Sequence, residues 1–213
     1  IWGAASSVLV GDFLFARAFE LMVETGRMRA LGILAKAAGV ISEGEVLQLT
    51  RAHDLNLDRD IYLKIVTAKT AELFAAAAEA GAEGVDAPPE VVAALRAYGL
   101  NLGLAFQLAD DALDYGGRSE TLGKNAGDDF GEGKVTLPLL LAAARTRGRE
   151  DAFWERTITQ GQRAEGDFRR ARELVIGTGA LGATLDEAGA FADRAKAALT
   201  ALPASGWRTA LED

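Results

Sequence analysis

Gln107, Asp110, Asp111 and Asp114 recur at i, i+3, i+4 and i+7, a spacing that puts one amide and three carboxylates on a single helical face. Leu104, Phe106, Leu108, Ala109, Ala112 and Leu113 cover much of the rest. A helix apolar on most sides is usually buried, so the carboxylates need partners. Two unit charges ~4 Å apart repel by about 4 kcal/mol at an effective dielectric near 20. A divalent cation or a set of lysines relieves that repulsion, whereas the bland alternative is a solvated acidic face. Candidate lysines lie close by in sequence. The glycine-rich segment 123–134 holds Lys124, Asp128, Asp129, Glu132 and Lys134, and an earlier apolar helix holds Lys69-Thr70. Carboxylates beside lysines suit a metal-bridged anion, because Mg²⁺ takes a few carboxylates plus water and substrate phosphate oxygens. Taken singly, segment 123–134 also reads as a solvated connection, and Lys69 as a surface lysine lying along apolar neighbours.

The elements that carry these residues are all helical. Ala, Leu, Glu, Lys and Arg dominate, and alternating β-branched runs are scarce. The pattern predicts helices over 1–25, 27–51, 57–81 and 88–115, the third capped by Asn56 or Asp58 and the fourth opened by Pro88-Pro89. Segment 118–133 reads as a loop or broken helix. Further helices are expected over 136–145, 149–160, 167–176 and 182–202, with a last short one capped by Ser205. Gly32, Gly39 and Gly44 inside the second helix suggest close packing or a kink near Gly39. Asp12 and Glu45 read as acids paired with lysine or capping a kink. Gly177 to Gly182 fits G-x-G-x-x-G, but without a strand before it this is a turn between helices. No repeat or compositional break divides the 213 residues, so a single domain is expected.

Composition removes several function classes. A net charge of −8 argues against nucleic acid as a partner. The absence of cysteine excludes disulfides and thiolate metal sites. The single histidine, His53, makes a Ser-His-Asp triad or a histidine-rich zinc site unlikely on numbers alone, and it reads as a plain surface residue. No run of about 18 uncharged apolar residues suggests a transmembrane helix.

These pieces together resemble the trans-isoprenyl (polyprenyl) diphosphate synthases. The match runs through Val10-Gly11-Asp12-Phe13-Leu14, Gly44-Glu45 with Gln48-Leu49, Tyr62-Leu63, Lys69-Thr70-Ala71 and Tyr98-Gly99. It continues through Gly103 to Gln107, Asp110 to Asp114, Gly123-Lys124, Gly127-Asp128 and Gly133 to Pro138. Order and spacing agree from Ile1 to about Leu141, and the pattern looks most like the long-chain bacterial octaprenyl/decaprenyl type. The resemblance implies an all-α isoprenoid-synthase helical bundle around a central cavity, usually homodimeric. It implies Mg²⁺-dependent head-to-tail condensation of isopentenyl diphosphate with an allylic diphosphate, with Mn²⁺ as the alternative metal, in the service of quinone side chains. Asp110 is then expected to bind the metal directly, Asp111 and Asp114 to support it, and Asp128 to reach it through water. Lys69 and Lys124 are expected to hold the allylic diphosphate, with Lys134 nearby. Thr70 and Gln107 are expected to stabilise the allylic cation. The expected location is cytoplasmic, with the product handed on to a membrane.

The family has two aspartate-rich motifs, and the first is expected on a helix before Ile1. The extreme C-terminus is expected to continue past Asp213. On that view the 213 residues alone have little synthase activity. A non-catalytic subunit of a heteromeric synthase, a class I terpene cyclase and a plain helical scaffold are the alternatives. Lys69-Thr70, Phe106-Gln107 and Gly133 to Thr136 favour the elongating group.

Overall fold

The computed structural model describes residues 3–116 and 126–213. Lys124 therefore lies outside the described residues. Among them the secondary structure is helical, with no strand. The elements are α1 (Ala4–Glu24), α2 (Met28–Thr50), α3 (Arg59–Val66), a π-helical turn (Thr67–Ala71), α4 (Glu72–Glu83) and α5 (Pro89–Gly116). After these come α6 (Asp128–Glu132), α7 (Leu137–Arg145), α8 (Asp151–Trp154), a second π-turn (Glu155–Thr159), α9 (Asp167–Gly177), α10 (Ala180–Ala198), a 3₁₀ turn (Leu199–Ala201) and α11 (Gly206–Glu212).

The starts follow from local chemistry. Asp58 caps α3 by accepting from the Asp60 N–H at 2.7 Å, and Ser205 caps α11 by accepting from the Arg208 N–H at 3.1 Å. Pro89 opens α5 and Pro138 sits in the first turn of α7, where a missing N–H costs nothing. The G-x-G-x-x-G stretch is a turn between α9 and α10, with Gly179 at φ 72°.

α5 is the axis. It packs along α4 on one side and α10 on the other. By length and composition it could cross a membrane, but it ends in Asp110, Asp111 and Asp114 and its Leu108, Ala112 and Tyr115 are buried among other helices. Two of its glycines decide how close α4 comes. A Cβ on Gly99 would stand 2.4 Å from the Phe74 carbonyl oxygen, and one on Gly103 would stand 2.6 Å from the Ala71 Cα. Opposite them Ala71 and Ala75 are fully buried. Backbone thus meets backbone, and this fixes the π-turn against α5.

α2 reaches the same turn from its other side. A Cβ on Gly44 would lie 2.8 Å from the Ala68 Cβ and 2.9 Å from the Lys69 backbone nitrogen. Gly32 and Gly39 face open space, and α2 runs unbroken through Gly39, so Gly44 is the glycine that serves packing.

His53 is not a plain surface residue. It is half-buried at φ 66°, its N–H donates to the Gly133 carbonyl, and its Nδ1 lies 2.7 Å from the Ile158 carbonyl. The ring is wedged against Gly133, where a Cβ would come within 2.1 Å of it. The histidine therefore ties the segment before Lys134 to the second π-turn. Sequence polarity around it gave no hint of these contacts.

Candidate active site

A cavity of about 230 Å³ opens where α2, α3, the first π-turn, α5 and residues 129–136 meet. Lys69, Thr70, Gln107, Asp110, Asp111, Asp129 and Lys134 line its polar side, and Leu57, Ile65, Val66 and Val135 its apolar side. Of the candidate site residues, Lys69, Thr70, Gln107, Asp110, Asp111 and Lys134 are thus brought together, and Asp114 and Asp128 do not line the cavity. The π-turn presents Lys69 and Thr70 side by side, and such turns recur at functional sites.

Lys69 is held before any ligand arrives. Its ammonium donates to Gln48 Oε1 at 2.7 Å and pairs with Glu45 at 2.9 Å. Glu45 is therefore the acid of the Gly44-Glu45 pair that finds a lysine, whereas Asp12 is exposed on α1. Gln48 carries no charge and lies one helical turn beyond Glu45; that i, i+3 spacing was the signal that would have found it.

The acidic helix divides its carboxylates among three tasks. Asp110 faces the cavity. Asp111 is buried, accepting from the Tyr62 hydroxyl at 2.7 Å and from Gln107 Nε2 at 2.8 Å. Asp114 is also buried and does not line the cavity. It accepts from the Gly127 N–H at 3.1 Å and the Asp129 N–H at 3.3 Å, anchoring the start of α6.

That anchor sets which of Asp128 and Asp129 lines the cavity. Asp128 is exposed and away from the cavity, while Asp129 lines it and accepts from Lys134 at 3.1 Å. Gly127 at φ 90° starts the short helix, and neighbouring side chains on a helix point about 100° apart, so only one of the two can turn inward. Lys134 also pairs with Glu132 at 2.8 Å. Burial pulls its pKa down, but the Glu132 and Asp129 carboxylates outweigh that and hold it above the ordinary lysine value.

Burial raises the Asp111 carboxyl to about 7. Hydrogen bonds from Tyr62 and Gln107 oppose the shift, and the charges of Asp129 and Asp110 add to it. Burial, then the Asp111 charge, raises the Tyr62 phenol well above its usual value, so it remains a donor. A carboxyl protonated more readily when folded than unfolded adds stability at low pH that is lost as pH rises from about 4 toward 7. The metal-free protein should therefore lose up to about 1.4 kcal/mol per pH unit across that window relative to Asp111→Asn. Urea midpoints of both proteins between pH 4.5 and 8 measure this, and parallel profiles would refute it.

Among the described residues no trio of acidic or histidine side chains is assembled to hold a metal alone. The carboxylates that line the cavity, Asp110, Asp129 and the already engaged Asp111, are hard oxygen donors beside two lysines. That set fits Mg²⁺ shared with a phosphate-bearing ligand better than a cation caged by protein.

Residues 1–175 match the family model described as polyprenyl synthetase. The octaprenyl diphosphate synthase of Escherichia coli K12 is 42% identical over 210 residues, covering 99% of this chain and 65% of that protein. A crystal structure of a polyprenyl synthase from Caulobacter crescentus CB15, complexed with calcium and isoprenyl diphosphate, superposes with a TM-score of 0.96 at 70% identity, covering 99% of this chain and 64% of that one. A decaprenyl diphosphate synthase from Rhodobacter capsulatus gives 0.85 at 47% identity, with 100% and 65% covered. The chain thus spans about 65% of the length of the curated relative it matches. With the motifs in order, the helical fold and these likenesses together, the chain belongs to the polyprenyl synthetase family.

Proposed function

We propose that the protein is a trans-prenyltransferase that condenses isopentenyl diphosphate head-to-tail with an allylic diphosphate, making a long polyprenyl diphosphate for quinone side chains. The observation that carries this is the convergence of Lys69, Lys134 and Asp110 on one cavity whose other wall is apolar. Lys69 holds the allylic diphosphate, with Lys134 beside it and Lys124 assigned to the same task by the motif. Asp110 holds Mg²⁺, or Mn²⁺, with Asp129 taking the place expected of Asp128. Bound there, the metal supplies positive charge to the leaving diphosphate.

Breaking the allylic C–O bond leaves negative charge on the departing group and positive charge on the prenyl chain. Fixed lysines stabilise the first without reorganising. Thr70 Oγ1 and Gln107 Oε1, 2.9 Å apart, offer electron-rich oxygens to the second. Leu57, Ile65, Val66 and Val135 exclude the water that would otherwise quench the cation. The assays use the full-length gene product. α1 leaves Leu9, Phe13 and Leu14 exposed, and a second copy of the chain would cover that apolar face. A homodimer working in the cytoplasm and passing its product to the membrane completes the proposal.

The test is incubation with farnesyl or geranyl diphosphate, isopentenyl diphosphate and Mg²⁺. Products longer by whole five-carbon units support elongation. Cyclic hydrocarbons without isopentenyl consumption would make the protein a cyclase, and no turnover until a second subunit is added would make it a non-catalytic partner.

A further inference from the structure

Four side chains from three elements form one unbroken hydrogen-bond chain. The Tyr62 hydroxyl of α3 donates to Asp111 Oδ2 at 2.7 Å, and Gln107 Nε2 of α5 donates to Asp111 Oδ1 at 2.8 Å. The Thr70 hydroxyl of the π-turn donates to Gln107 Oε1 at 2.9 Å. Tyr62 and Asp111 are buried, at 3% exposure each, while Thr70 and Gln107 are half-buried at the cavity.

The direction of the chain follows from chemistry. Both Asp111 oxygens accept here, and an amide presents two different edges. With Asp111 on one side, Gln107 must turn its NH₂ edge toward the carboxylate and its oxygen edge toward Thr70 and the cavity. A reversed amide would set oxygen against oxygen at Asp111 and present N–H groups where positive charge develops. The Tyr62 hydroxyl occupies the other carboxylate oxygen. It keeps Asp111 from rotating and satisfies a buried acceptor that is costly when unpaired.

We propose that Tyr62 is a positioning residue that acts through Asp111 to hold the oxygen edge of Gln107 toward the allylic end of the substrate. The second aspartate of the acidic motif thereby serves to orient an amide, while Asp110 lines the cavity next to it. The inference rests on the elongation activity proposed above.

The test is Tyr62→Phe, which removes one oxygen. Elongation kcat should fall about tenfold or more, with KM for both diphosphates within about twofold, as expected for a loss felt only in the transition state. In a Gln107→Ala background the same substitution should have less than about a twofold further effect, because no amide remains to orient. In the metal-free protein the Gln107 side-chain amide protons should exchange faster once Tyr62 is Phe. Unchanged kcat, or effects that multiply in the double variant, would overturn the proposal. If Tyr62→Phe does not fold, the reversed pair decides. Asp111→Asn alone should turn the Gln107 amide and lower kcat. Adding Gln107→Glu restores an accepting edge toward Thr70 and should recover at least about tenfold of the loss; no recovery overturns the inference. Wild-type protein that folds but never elongates would instead defeat the function it rests on, a separate outcome.

Discussion

Asp110→Ala should lower elongation kcat by roughly a thousandfold, equivalent to about 4 kcal/mol of transition-state stabilisation, while the protein stays folded. The reason is positional. Of the acidic motif's carboxylates, Asp111 has both oxygens engaged by Tyr62 and Gln107, and Asp114 is turned into the start of α6. Asp110 lines the cavity beside Lys69 and Lys134. On the proposed function, losing it would remove the negative group that draws a divalent metal toward the diphosphate, and the singly charged lysines would not replace that metal. Steady-state kinetics over a range of Mg²⁺ concentrations check this. A loss under about tenfold, or full rescue by excess Mg²⁺, would mean that Asp110 is peripheral.

The largest structural effect should come from Gly99→Ala. On helix propensity alone the change would stabilise α5 by about 1 kcal/mol. The added Cβ, however, would sit 2.4 Å from the Phe74 carbonyl oxygen and 2.7 Å from its carbon, both backbone atoms within a helix. Neither can swing aside as a side chain could, so α4 must move away from α5. The clash wins, at about 3 kcal/mol, near the top of the usual overpacking range. Gly39→Ala is the control, because its Cβ meets open space and it should be neutral or stabilising. Urea denaturation of the three proteins gives the comparison. A Gly99→Ala variant as stable as wild type would show that α4 and α5 tolerate a wider separation than the structure has.

Much of this arrangement was legible in the sequence, because it rests on local signals. Asp58, Pro89 and Ser205 mark helix starts through chemistry confined to a few residues, and the boundaries fell close to them. The acidic face was readable from spacing, and Lys69, Thr70, Gln107, Asp110 and Asp111 do meet at one cavity. What escaped depends on contacts far apart in the chain. The π-turn at Thr67–Ala71 has no signature in Thr-Ala-Lys-Thr-Ala; it is wedged between Gly44 of α2 and Gly103 of α5. That Asp129 rather than Asp128 lines the cavity depends on the Asp114 anchor, which comes from another helix. His53 sat in a polar stretch, yet its ring is set by Gly133 and Ile158. Tyr62 lay within a recognised piece of the motif, but its partner is 49 residues away.

The central claim is that Asp110 and Lys69 are two arms of one metal–diphosphate clamp. Calorimetric titration of the full-length protein with an unreactive thio-analogue of farnesyl diphosphate tests it most directly, with Mg²⁺ and then with EDTA. Wild type should bind at least about tenfold more tightly with Mg²⁺, a coupling of about 1.4 kcal/mol or more. Asp110→Ala should lose that metal dependence, and Lys69→Met should weaken binding in both conditions. Equal affinity with and without Mg²⁺ in wild type, or an unchanged metal dependence in Asp110→Ala, would contradict the account.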